Sequence, residues 1–496
     1  MQGLIGLLKA AGSLMSLQPL LLITAGIIVG ILAGAMPGVS PSMGVALMVP
    51  FTYAMDPSLA LIYLAAIYLA ANYGGSITAV TINTPGTPSA VVTAFDGYPL
   101  ARKGRAGEAL GVSLVASFVG GAIGIIVLML FSAPLANAAL KFWPAEYFSL
   151  AVMGLSSIAS MGGQNALKSA ISAILGLLIC TIGMDPILGV RRFTFGNVHL
   201  FDGFEFIPVL IGLLALSEVF VEVEKFDFRA ESVGDSAKAK WPSFVYYWKL
   251  RMSMLRASLI GTIVGIFPGA GATIATFISY DVEKRFSSTP EEFGQGMPEG
   301  VAAAEASNSA SVGGALVPML TLGIPGSATA AVLMGALMIH NLQPGPELFT
   351  KSPELIHKLF ASLLMGNVIM LILGLAGSRL WINVTKVKKQ ILFPLIFAFA
   401  MIGSYAVNSS MWDVGVCLGF GVIGWLLKRY GYSLPPLVLG MVLGGMAEVN
   451  LRRATMMFGP TAIFQRSGSV ILLLISALSF AIPVLQARRA KVKART

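Results

Sequence analysis

Apolar runs of roughly 18 or more residues recur along the chain between Leu20 and Leu485, and each can cross the hydrocarbon core of a bilayer as a helix. In lipid the backbone must satisfy its own polar groups, so such a chain folds as a helical bundle. Composition agrees. Only 11% of the 496 residues are charged and mean hydropathy is +0.81, whereas soluble domains carry about 25% charged residues. The 55 glycines suit close helix packing in lipid. The fold class expected is an all-α polytopic membrane protein.

A net charge of +10 raises nucleic acid as a partner, but Lys and Arg gather in short loops between spans, as the positive-inside bias requires. Cys180 and Cys417 both lie in apolar runs and offer neither a disulfide framework nor a metal cluster. The N-terminal MQGLIGLLKAAGSLMSLQP lacks a basic n-region followed by a cleavage site. It reads as an interfacial helix or part of the first membrane element.

The polar stretch 221–244 divides the chain nearly in half, and the halves resemble each other. GILAGAMPG from Gly30 aligns with GTIVGIFPG from Gly261 without a gap. Further on, GGSITAVTINTPGTPSAVV resembles GGALVPMLTLGIPGSATAAV, with Thr81, Pro85, Gly86, Ala90 and Val92 matching Thr321, Pro325, Gly326, Ala330 and Val332. Equivalent loops carry opposite charge bias. Arg102, Lys103 and Arg105 follow the second break of the first half, while HNLQPGPELFTKSPE is nearly free of Arg and Lys. Opposite bias at equivalent loops is the mark of inverted repeats.

Residues 20–51 are too many for one upright span and too few for two, so a re-entrant hairpin with PGVSPS at its tip is expected, repeated at 255–280. About eleven further spans complete the bundle. The division expected is a first repeat over 1–220 and a polar cytoplasmic linker over 221–252. A second repeat over 253–448 and a C-terminal span with a basic cytoplasmic tail over 449–496 follow. The broken helices fall near 58–100 and 299–337. Arg191, Arg192, Arg452 and Arg453 fall on the outer side and do not fit the charge rule.

Proline removes a donor and clashes with the preceding turn, while glycine permits positive φ. NTPGTPS therefore frees carbonyls and restarts a helix inside the membrane, which is tolerated only beside protein or a watery cavity. A restarted helix offers unpaired N–H groups and a positive dipole end to a carboxylate. Freed carbonyls with the oxygens of Asn83, Thr84 and Thr87 suit Na⁺. A lone break of this kind is more simply a kink in a packed helix; two ordered pairs with clustered Ser and Thr make a site where they converge the leading reading.

The candidate binding residues are Pro37, Gly38, Ser40 and Ser42 with Asn83, Thr84, Pro85, Gly86, Thr87 and Ser89 in the first half. In the second they are Pro268, Gly269, Gly271 and Thr273 with Asn308, Thr321, Gly323, Pro325, Gly326, Ser327 and Thr329. Na⁺ is placed at Asn83, Thr84 and Gly323. Asn72, Tyr73, Ser76, Glu305, Ser307 and Ser311 precede the breaks, and each serves equally as a packing hydrogen bond. Glu305 reads as near the cytoplasmic end of its helix, and Asp96 as a loop anchor. His199, His340 and His357 read as scattered loop residues, which argues against a histidine proton relay. HExxH, GxSxG and cysteine–histidine clusters are absent. GGQNALKS has Leu167 where a phosphate loop needs its second glycine, so no enzyme and no cofactor are expected.

The segments GILAGAMPGVSPS, NYGGSITAVTINTPGTPSAVVTAFDGYPLARKGRAGEALG, GTIVGIFPGAGATIATFISYDVEKR and EGVAAAEASNSASVGGALVPMLTLGIPGSATAAVLMGALMIHNLQPGP resemble the large membrane subunit, the TctA family, of the tripartite tricarboxylate transporters. The likeness runs over about residues 20–446. The family often reads EGVAAPEAANNA, and this chain departs from it at Ala304 and Ser309. The resemblance implies a secondary transporter for carboxylates in the bacterial inner membrane, driven by an ion gradient, with Na⁺ as the coupling ion. It implies two partners, a small four-helix membrane subunit and a periplasmic solute-binding protein. By fold-level analogy it also implies an elevator-like carrier, a class often homodimeric. Alternatives from the residues alone are a proton-coupled carrier or exporter of organic acids, and a non-transporting scaffold or receptor component.

Overall fold

The computed structural model describes residues 2–36, 38–160, 166–185, 187–224, 241–268, 271–377, 381 and 389–478. The first half holds α1 (Gln2–Leu14), α2 (Leu17–Ala35), α3 (Pro41–Met48), α4 (Pro57–Ile82), α5 (Ala90–Leu100), α6 (Ala106–Ala139), α7 (Pro144–Ser160) and α8 (Ala166–Cys180). A two-stranded ribbon follows, β1 (Gly183–Met184) paired antiparallel with β2 (Arg191–Arg192). Next come α9 (Phe206–Leu210) and α10 (Ser217–Glu224), joined by the π-helical stretch Ile211–Leu216. The second half holds α11 (Phe244–Lys249), α12 (Arg251–Ile266), α13 (Gly271–Phe286), α14 (Pro298–Leu322), α15 (Ala328–Ile339), α16 (Glu347–Lys351) and α17 (Pro353–Ala376). Three long helices follow, α18 (Lys389–Asn408), α19 (Met411–Arg429) and α20 (Leu434–Phe458), and after them come the short helices Ala462–Gln465 and Ser467–Leu478.

Among the described residues, eight helices are long and apolar enough to cross a membrane, with five shorter apolar ones of 10–17 residues. The protein is a multi-pass membrane protein. The shorter helices include Pro41–Thr52 and Ala328–Ile339, the pieces that follow breaks. The expectation is about eleven spans beside the two paired segments at 20–51 and 255–280, and the difference lies partly in α14. That helix has 25 residues, long enough to cross, but Glu305, Ser307, Asn308, Ser309 and Ser311 make it more polar than the eight.

Burial explains how so polar a helix survives. Every residue over 300–321 of α14 is buried, and so is every residue over 60–80 of α4. A helix buried all round never meets lipid, so its polar groups answer to neighbouring helices. These two helices form the centre, with α2, α5, α6 and α12 packed about them.

Glycine lets that packing close. A Cβ on Gly30 of α2 would lie 2.6 Å from the Ile67 carbonyl of α4, and one on Gly261 of α12 would lie 2.3 Å from the Ser307 carbonyl of α14. Gly30 and Gly261 are the aligned positions of the two halves, so α2 and α12 meet α4 and α14 through the same kind of backbone contact. Helices α2 and α12 also end alike. Met36 and Phe267 leave them in extended conformations, with ψ of 118° and 121°.

Two of the four arginines that defied the charge rule are ion-paired, and Arg191 lies over the Phe201 ring. Arg192 pairs with Glu448, and Arg452 with Asp185 at 2.6 Å and Glu448 at 3.1 Å. His357 lies inside α17 rather than in a loop, because the apolar pattern from Leu355 onward continues through it. Residues 225–240 of the polar linker and 479–496 of the C-terminal tail lie outside the described residues.

Candidate functional site

Both central helices stop at a left-handed residue. Asn83 takes φ 52° after α4 and Gly323 takes φ 71° after α14, and these are aligned positions. The next amide folds back over the helix end in each case, Thr84 to the Thr78 carbonyl at 3.4 Å and Ile324 to the Pro318 carbonyl at 3.2 Å. Such a pattern satisfies carbonyls that a terminated helix leaves open.

The break then runs back along its own helix. Gly86 N–H donates to the Gly75 carbonyl at 3.2 Å, and Gly326 N–H to the Ala315 carbonyl at 3.3 Å. Gly86 and Gly326 are thereby returned about two turns back along the helices that precede them. There α4 meets α14 through the Asn308 amide, which donates to the Asn72 carbonyl at 3.2 Å, and meets the second break through the Tyr68 hydroxyl, which bonds the Ser327 hydroxyl at 2.8 Å. The two folded-back breaks flank this contact.

Helices then restart on hydroxyl caps. Ser40 accepts from Met43 N–H at 3.2 Å, Thr87 from Ala90 N–H at 3.2 Å and Ser327 from Ala330 N–H at 3.1 Å. Each cap satisfies one of several open amides in its first turn, and the others suit an anion. The restarted helices pair crosswise, α3 with α15 and α5 with α13. Phe95 and Phe277 meet edge to face at 6.0 Å in the second pairing.

The sequence-derived candidates separate into groups. Asn83 and Thr84 are exposed, whereas Gly86, Thr87 and Ser89 are buried, with Pro85 half-buried. Ser42 bonds Ser40 at 3.0 Å, and Gly38 (φ 87°) faces the Glu222 side chain. Pro268 and Thr329 are buried, Pro325 and Gly326 likewise, and Thr273 is half-buried beside Gly271 at φ 57°. Thr321 bonds the Val317 carbonyl of its own helix, so its hydroxyl is engaged in helix packing. Pro37 and Gly269 lie outside the described residues. The room beside Gly86 is filled by protein, since a Cβ there would lie 2.0 Å from the Gly34 carbonyl.

Glu305 corrects its sequence reading. It is fully buried within α14 and accepts hydrogen bonds from Thr93 of α5 and, at 3.0 Å, from Ser117 of α6. Neither partner stands out in the sequence. The available signal was Ser113 and Ser117, four apart on one face of an apolar helix; Ser113 bonds Ser76 of α4 at 2.6 Å. Asp96 is an anchor as expected, though from within α5. One carboxylate oxygen accepts from the Gly294, Gly296 and Met297 amides at 2.8 Å, and the other from the Tyr280 hydroxyl at 2.7 Å.

Two lipid-shielded helices, joined by a polar seam and each ended by a folded-back break, belong to a membrane protein of the transporter class. The chain belongs to the tripartite tricarboxylate transporter TctA family, whose model matches residues 20–439. Over 410 residues it is 39% identical to an uncharacterized 52.8 kDa protein in the TAR-I ttuC' 3' region of Agrobacterium vitis, which covers 83% of this chain and 82% of that one. An uncharacterized protein in the TAR-II ttuC' 3' region of the same organism is 41% identical over 194 residues, 39% of this chain and 80% of its own length. No solved structure is significantly similar.

Proposed function

We propose that the chain is the large transmembrane subunit of a binding-protein-dependent secondary transporter that takes up carboxylates, of tricarboxylate or dicarboxylate type, with a cation gradient. Family membership supports the class. The observation that carries the mechanism is the matched pair of folded-back breaks beside the α4–α14 contact. Restarted helices at 86–89 and 326–329 turn open amides and positive dipole ends toward one region, which suits an anionic substrate. The halves act as inverted repeats, and movement of the paired breaks against a fixed scaffold gives alternating access of the elevator kind. Na⁺ is the coupling ion, and the setting is the bacterial inner membrane.

A small four-helix membrane subunit and a periplasmic binding protein complete the system in this reading. The test is uptake of labelled di- and tricarboxylates into vesicles holding the chain with those partners. Uptake should collapse when choline replaces Na⁺. Uptake that persists without Na⁺ and follows a pH gradient would return the function to a proton-coupled carrier.

A further inference from the structure

The carboxyl group of Glu305 is 0% exposed, and no salt bridge among the described residues involves it. A buried carboxylate without a cation is costly, and hydroxyl donors alone do not balance its charge. Its neighbours are oxygen-bearing: Thr93 and Ser117 donate to opposite carboxylate oxygens, and Asn308 one turn along α14 bears on the same group. Tyr73 of α4 is the other titratable group that bears on it. Asp96, which faces Gly300 of α14, is already held by Tyr280 and three amides.

A second observation points to a missing partner. Asn308 is 0% exposed and its Oδ1 has no hydrogen-bond partner, although its amide nitrogen is bonded to Asn72. A buried amide oxygen without a partner, one helical turn from a carboxylate held only by neutral donors, leaves an oxygen-rich cluster with no positive charge among its described partners. Hydroxyl protons rotate freely, so Thr93 and Ser117 can turn their lone pairs inward when a cation enters. Carboxylate, amide and hydroxyl oxygens are the ligands a hard monovalent cation takes.

We infer that Glu305, Asn308, Thr93 and Ser117 form a Na⁺ site inside the bundle, apart from the proline–glycine breaks. It rests on the transport reading above, since that reading calls for a coupling cation. The site also gives the cation leverage. Thr93 belongs to the helix restarted after the first break and Glu305 to the helix that ends at the second, so a cation held between them fastens the two break-bearing elements together.

The test uses the purified full chain in lipid nanodiscs, with thermal stability followed as NaCl replaces choline chloride at fixed ionic strength. Ligand-linked stabilisation reads binding without requiring transport. The wild type should gain stability saturably with Na⁺ and not with K⁺ or choline. Glu305→Gln should lose the response. Asn308→Ala and Ser117→Ala, which remove less, should shift its midpoint to about tenfold higher Na⁺. A Glu305→Gln protein that keeps the wild-type response overturns the site, as does stabilisation that follows pH alone. Abolition of the response by Asn83→Ala, with Ser117→Ala unaffected, would return the cation to the break. Failure of vesicle uptake with a normal Na⁺ response would instead count against the transport reading.

Discussion

Gly34 and Gly86 meet backbone to backbone: a Cβ on Gly86 would lie 2.0 Å from the Gly34 carbonyl oxygen, at the seam between α2 and the first break of α4. The equivalent pair, Gly265 and Gly326, is looser at 2.9 Å, with the Ala315 Cα at 2.6 Å. These contacts hold the two breaks against the ends of α2 and α12, so side chains there act on packing first.

Gly86→Ala is expected to lower stability by about 1–3 kcal/mol, the usual range for overpacking against a wall that cannot yield. Thermal melting of the purified protein and uptake should fall together. A melting temperature equal to wild type would show that α2 and the break separate easily, contrary to the geometry.

Asp96→Asn weakens the anchor that holds residues 294–297 to α5. Hydrogen bonds to a charged group contribute about 1.5–3 kcal/mol each, so amide hydrogen exchange at Gly294, Gly296 and Met297 should accelerate markedly. Tyr280→Phe removes one of the four bonds and should have a smaller effect. Equal protection in wild type and Asp96→Asn would contradict the anchor.

Tyr68→Phe and Ser327→Ala both break the hydroxyl pair between α4 and the second break. Ser327→Ala also removes the cap of α15, which costs about 0.5–2 kcal/mol, so it should be the more damaging. The double variant should be less damaging than the sum of the singles by about 0.5–1.5 kcal/mol, as expected for residues in contact. Strict additivity in melting experiments would mean the pair contributes nothing.

Asp185 sits in the ribbon loop, where the Leu188 and Ile187 amides, each at 2.9 Å, and the Arg452 and Arg192 guanidiniums hold its pKa below the usual carboxylate value. A depressed folded-state pKa contributes stability that is present above the unfolded value of about 3.9 and is lost as pH falls through the folded one. Melting temperature should therefore drop on acidification below about pH 4, and Asp185→Asn should flatten that part of the profile. Identical profiles for the two proteins would remove Asp185 from the acid transition.

Much of the architecture was legible because its causes are local or repetitive. Hydropathy marks spans, and proline–glycine pairs mark breaks. The matched series Gly30–Gly261, Pro85–Pro325 and Gly86–Gly326 announced that the halves are built alike. Asn83 and Gly323, two residue types that tolerate positive φ, stand where both central helices end. The hydroxyls at Ser40, Thr87 and Ser327 were legible as functional oxygens, yet their first engagement is to cap restarting helices. Local spacing says that a hydroxyl is near a break but not which way it faces.

By itself, the sequence determined that this chain lives in lipid as a helical bundle with paired interruptions, because hydrophobicity and proline chemistry act over a few residues. Only the tertiary structure decided that α4 and α14 are shielded from lipid on every side, and that their breaks fold back beside one polar contact. It also moved Glu305 from an expected helix end to a buried position between Thr93 and Ser117. Those outcomes depend on residues more than 180 positions apart in the chain, and on glycine contacts that exist only when two backbones meet. Neighbouring residues carry no trace of such a meeting.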